Sequence, residues 1–228
     1  IPCRNSNDII DNNKISKIVY GKKSDKYLQQ EKKINTLIKK ISGYNEWALI
    51  YDKFCKAPLY GNILKHYDKD ILKCMDDYYE QKFNETNNMM IGLYGGDTFE
   101  DYFVKKVLNN SKNIDKSMYN LLLKMKPLFF GLNELYNNGL SHLDIKVNNI
   151  VLHNNVFKYI DFGLSGELSD YKHFKNRSLS EFDNTRFYLW YPVEYIYSNS
   201  PKYESQNELL KMNKRKHYDK GVKIYKLL

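Results

Sequence analysis

SHLDIKVNNIVLHNNVFKYIDFGLSGEL, residues 141–168, sets two histidines, three acids and four asparagines into a passage otherwise rich in Ile, Val, Leu and Phe. The apolar runs IVL and VFKYI flank HNN, and Asn154–Asn155 tolerate the left-handed conformation that a tight turn demands, so the stretch predicts a β-hairpin. With those two residues at the tip, cross-strand partners have numbers summing to 309, which sets Asn149 and Asp161 almost opposite each other at the open end. Two oxygen donors therefore converge. Asp144 lies five residues before Asn149, on the loop entering the same hairpin, and brings a carboxylate with no necessary metal role. That arrangement suits a hydroxyl nucleophile facing a magnesium-held phosphate.

Upstream, NLLLKMKPLFFGLNELYNNGL carries Leu122, Met125, Phe129, Leu132 and Tyr136 at helical spacing, with Pro127 expected to start or kink the helix. The stripe is expected to be core. MMIGLYGGDTFEDYF reads as a strand, a connector bearing Gly95 and Gly96, and a helix, and marks a lobe boundary. WALIYD, residues 47–52, reads as a strand, and residues 66–81 read as helical. KISKIVY alternates as a strand ending at Gly21, yet it puts Lys17 on a face with Ile15 and Val19. The following helix, residues 24–41, puts Glu31 into a stripe with Tyr27, Ile34, Ile38 and Ile41. A pair between Lys17 and Glu31 resolves both anomalies, because a buried charge without its partner costs about 3–5 kcal/mol. The alternative at this point is that both side chains snorkel to water at the edges of their elements.

Composition supports a folded chain: 228 residues with 42% hydrophobic and 15% aromatic content can bury one core or two small lobes. The net charge of +9 is spread along the chain and does not mark a nucleic-acid partner, although phosphate-rich ligands suit it. Its one local cluster, Lys211, Lys214, Arg215 and Lys216, reads as a solvated helix face. Cys3, Cys55 and Cys74 show neither a C-x-x-C pair nor metal-ligand spacing, which fits a reducing compartment. No stretch has the roughly 18 uninterrupted apolar residues of a membrane span. A soluble, cytoplasmic protein is expected.

HLDIKVNN, followed by DFG, resembles the catalytic loop and metal-binding triplet of the protein kinases. The resemblance implies that Asp144 accepts the substrate hydroxyl proton, that Lys146 neutralises the transferred phosphoryl, and that Asn149 and Asp161 hold Mg2+. His142 and Phe162 would pack the loop, with Gly163 completing the triplet. Kinases also pair a strand lysine with a helix glutamate, which matches Lys17 and Glu31 and places them at the phosphates of ATP. LYGGD resembles the hinge that meets adenine, with Leu93 in it, Asp97 as a ribose contact and Met90 as gatekeeper. RSLSEFDNTRFYLWYPVEYIY resembles an activation segment closing on Pro192 to Glu194, with Ser178, Ser180 and Thr185 able to bind substrate or accept phosphate. Lys146, two residues after Asp144, matches kinases that use a protein serine or threonine as acceptor.

The expected fold is thus α+β and bilobal, with an N-lobe at residues 1–93, a mainly helical C-lobe at 94–228, and a poorly matched insertion between about 52 and 86. IPC, the GG hinge and YLWYPVEYIY resemble kinases of giant nucleocytoplasmic DNA viruses, which implies host cytoplasm or virion. Three departures stand out. Leu143 replaces the arginine that in many kinases reads an activation-segment phosphate, which points to constitutive activity. No glycine-rich loop precedes Lys17, and little resembling the later C-lobe helices follows, so a partial or degenerate domain is expected at both ends. A kinase-fold scaffold that binds protein partners is therefore a second reading, and a small-molecule phosphotransferase of the aminoglycoside-kinase type a third. Oligomeric state stays open.

Overall fold

The computed structural model describes residues 13–19, 24–57, 88–109 and 113–170. The end of the first strand at Gly21, the helix at 66–81, the activation-segment hydroxyls, Pro192 to Glu194 and the basic cluster at 211–216 lie outside them. The fold is α+β. Three antiparallel strands, β1 (Lys14–Val19), β2 (Tyr51–Lys56) and β3 (Asn88–Leu93), form a sheet in the order β1-β3-β2. Helix α1 (Ser24–Ile38) packs on this sheet, and the pairing of Lys17 with Met90 fixes the register of β1 on β3. Cys55 on β2 is disulfide-bonded, which the spacing of the three cysteines does not foretell; Cys3 and Cys74 both lie outside the described residues.

The second part begins after β3 with a short helix, α2 (Phe99–Tyr102), capped by the Thr98 hydroxyl and continued by a π-helical turn, Phe103–Leu108. A long helix, α3 (Ile114–Asn137), then leads into β4 (Leu140–Ser141). The expected hairpin follows as β5 (Ile150–His153) and β6 (Val156–Tyr159), with β7 (Gly166–Glu167) returning to pair with β4. Its register is the one read from the tip: Ile150 faces Tyr159 and His153 faces Val156, while Asn154 and Asn155 both take positive φ. Among the described residues no helix is long and apolar enough to cross a membrane.

One large core cluster joins the two parts, running from Ile34, Ile38 and Ile41 after and along α1, through Trp47, to Leu121, Leu128 and Leu135 of α3 and Phe157 of β6. Three expectations are corrected here. WALIYD is not a strand over 47–52: Trp47 is wholly buried, and its carbonyl accepts from Tyr159 N at 2.8 Å, while β2 starts only at Tyr51. In α1, Leu28 is buried where Tyr27 was expected, and Tyr27 is exposed. In α3, the buried positions are Leu121, Leu128, Gly131 and Leu135, so the stripe is shifted by about one residue; Phe129 is 63% and Tyr136 71% exposed.

The shift has a steric cause. A Cβ on Gly131 would lie 2.7 Å from the Trp47 indole, so α3 meets that ring through its one residue without a side chain. Pro127 sits inside α3, not at its start. Losing one helical hydrogen bond there costs about 3 kcal/mol, while each buried leucine on either side of it contributes about 1.5–3 kcal/mol. Gly131→Ala is expected to destabilise the protein by about 1–3 kcal/mol, because a rigid indole must move. Urea unfolding measures this, and an unchanged midpoint would contradict the contact.

Candidate active site

The loop between β4 and β5 is built on a buried histidine. His142 lies between Phe162, with ring centroids 4.6 Å apart, and Tyr159, at 5.4 Å. Asp144 N donates to its Nδ1 at 3.3 Å, so Nδ1 is the acceptor and Nε2 carries the proton toward Ile160 O at 3.1 Å; the tautomer is assigned from this network. Burial pushes His142 down to about 4, against the smaller upward pull of the Ile160 carbonyl and of Asp144 and Asp161, and the ring is neutral at pH 7. The Ser165 hydroxyl donates to His142 O at 2.9 Å and locks the loop from the other side.

This depressed value makes stability pH-dependent. An unfolded histidine titrates near 6.5, so the unfolded chain binds the extra proton between about 6.5 and 4. The contribution is complete above about pH 6.5 and is lost as pH falls toward 4. Wild type is expected to lose about 2–3 kcal/mol more than His142→Gln between pH 7 and pH 4.5. Urea titrations of both proteins at the two pH values check it, and parallel losses would contradict it.

After His142 the backbone turns sharply through Leu143, at φ 61, a conformation costly for leucine, and delivers Asp144 into the interior. Asn149 Nδ2 donates to Asp144 Oδ2 at 2.7 Å and to its carbonyl at 2.9 Å, and Lys146 Nζ reaches the same carboxylate oxygen at 3.0 Å. The three residues singled out from one loop are thus bonded to one another. Across the hairpin, Ile160 N donates to Asn149 O at 3.0 Å, one step before Asp161, which adopts φ 59 and ψ 70.

Lys17 and Glu31 do meet, at 3.7 Å, but Asp161 Oδ1 is the nearer partner of Lys17, at 2.7 Å. Burial alone would lower Lys17; the attraction of Glu31 and Asp161 outweighs it and holds the ammonium above its usual range. Burial pushes Glu31 up to about 7 against the pull of Lys17, with Asp161 adding repulsion. A Cβ on Gly163 would lie 2.9 Å from Glu31 Oε2, so α1 approaches the chain after Asp161 at a residue that offers no side chain. The Tyr51 ring, whose centroid lies 6.0 Å from Lys17 Nζ, also joins this cluster and carries no signal in the sequence.

Met90 is buried directly across β1 from Lys17, and Phe162 is buried against His142. Leu93 ends β3 half-exposed. Asp97 is ion-paired with Lys105 at 3.3 Å, and its carbonyl accepts from Leu152 N at 2.8 Å. Among the described residues no three His, Cys, Asp or Glu side chains form an all-protein metal cage. Asp161 offers one carboxylate, and Asn149, whose Nδ2 is committed to Asp144, offers one amide oxygen. One carboxylate and one amide oxygen, completed by water and substrate phosphates, is a donor set that magnesium accepts.

Residues 61–208 match the family model of the protein kinase domain, more than half of the 228-residue chain. The chain belongs to the protein kinase family. The matched stretch contains Met90, Leu93, Asp97, Asp144, Lys146, Asn149 and the Asp161–Gly163 triplet; Lys17 and Glu31 precede it, and the fold brings them to Asp161. No curated protein matches the chain.

Proposed function

We propose that this protein is a serine/threonine kinase that transfers the γ-phosphate of Mg-ATP to a protein hydroxyl. The observation that carries this reading is the buried Asp144 carboxylate, gripped by Asn149 at 2.7 Å and Lys146 at 3.0 Å on the same loop-and-hairpin unit as Asp161. Asp144 orients the acceptor hydroxyl and takes its proton. Lys146, bonded to the same oxygen, stands where it can also neutralise the phosphoryl in transit. Asn149 and Asp161 would hold magnesium, which would offset the charge of the phosphates. Lys17, freed from Asp161, and Glu31 position the remaining phosphates, while Met90, Leu93 and Asp97 face the nucleoside.

The acceptor class rests on Lys146, which stands two residues past Asp144 and there resembles the kinases that use a protein serine or threonine. Phosphoamino-acid analysis of labelled protein substrates tests it: phosphoserine or phosphothreonine is expected, and phosphotyrosine alone would overturn the class. The resemblance to giant-virus kinases supports action in the cytoplasm of an infected cell or within the virion.

A further inference from the structure

Helix α1 carries Glu31 to the site, and both of its ends are tied to the sheet. Asn88 Nδ2 donates to Asp25 Oδ1 at 2.6 Å, and Asn35 Nδ2 donates to Tyr51 O at 3.3 Å. Between these ties the helix faces the chain that follows Asp161. There Gln30 Nε2 donates to Ser165 O at 3.3 Å, and the Lys33 ammonium is ion-paired with Glu167 Oε1. At about 100° per residue, Gln30, Glu31 and Lys33 share an arc of roughly 160° on one side of α1.

Their partners are fixed points. Ser165 is bonded through its hydroxyl to His142 O, Gly166 and Glu167 pair with β4, and Leu168 N donates to Gly139 O at 2.7 Å. The bonds therefore run without a break from α1 through β7 to the strand that leads into Asp144. We propose that Gln30 and Lys33 are positioning residues, clasping α1 to Ser165–Glu167 and so holding Glu31 at Lys17 and Asp161. Its catalytic consequence rests on the kinase reading above. An isolated exposed ion pair contributes little, but this one acts together with the Gln30 bond on a rigid helix whose Glu31 must be placed within a fraction of an ångström.

The test is a charge-swap cycle: Lys33→Glu, Glu167→Lys and the double variant, each assayed for phosphate transfer at varied Mg-ATP and for hydrogen exchange of the α1 amides. Each single reversal is expected to lower kcat/KM for ATP by about five- to tenfold and to speed α1 exchange, and the swap to restore both to within about twofold. A general loss of packing would not be repaired by the swap. The exchange readout needs no catalysis, so a wild type without transfer but with this exchange pattern sinks the kinase reading and sustains the clasp. Single reversals that match wild type in both readouts, or a swap that restores neither, overturn the clasp.

Discussion

Asp144→Asn is expected to lower phosphate transfer by about 10²–10⁴-fold, with nucleotide affinity nearly unchanged. The separation follows from the geometry. The residues assigned to the nucleotide and its metal are Lys17, Glu31, Met90, Leu93, Asp97, Asn149 and Asp161, and none of them changes. Asn149 keeps its bond to the Asp144 carbonyl at 2.9 Å, which holds the loop in place. What disappears is the carboxylate assigned to take the proton, which Asn149 and Lys146 orient. Single-turnover transfer, measured beside equilibrium binding of a fluorescent nucleotide, distinguishes the two effects. Transfer equal to wild type would remove Asp144 from the mechanism, and a parallel loss of binding would make it a structural residue.

The second large effect is expected at Asp161. Changing this carboxylate to an amide replaces the charged oxygen assigned to magnesium with a neutral one and removes the nearer counter-ion of Lys17, leaving Glu31 at 3.7 Å as its ion-pair partner among the described residues. Changes to the partners of metal ligands alone typically cost about 10–100-fold in metal affinity, so Asp161→Asn should weaken magnesium-dependent nucleotide binding by more than about 100-fold. Calorimetric titration of nucleotide at several magnesium concentrations measures this. A variant with the magnesium dependence of wild type would show that the metal is held elsewhere.

The parts of this site that could be read in advance are those governed by short-range rules. The Asn154–Asn155 tip set the β5–β6 register, and with it the approach of Asn149 to the chain at Asp161. Two charges lying in apolar stripes, Lys17 and Glu31, anticipated each other because burial of either alone is costly. The salt bridge from Lys17 to Asp161 joins residues 144 positions apart, and no periodicity encodes it.

Phase was the weaker part of the reading. In α3, runs such as LLL and LFF put apolar side chains on two faces, so spacing alone fits more than one stripe; Trp47, distant in sequence, selects the face that bears Gly131. The same ambiguity separates Tyr27 from Leu28 in α1. WALIYD has the composition of a strand, yet Trp47 is drawn into the core that α1, α3 and β6 share, and the strand is displaced to Tyr51–Lys56. Gln30 and Lys33 look like ordinary polar positions of an amphipathic helix until β7 is seen beside them.

The most direct measurement is incorporation of labelled γ-phosphate from Mg-ATP into a mixed panel of proteins and small hydroxyl compounds, with Asp144→Asn run in parallel. Label on protein serine or threonine that disappears in the variant is the predicted result. Label confined to small molecules, or incorporation no greater than in the variant, would contradict it.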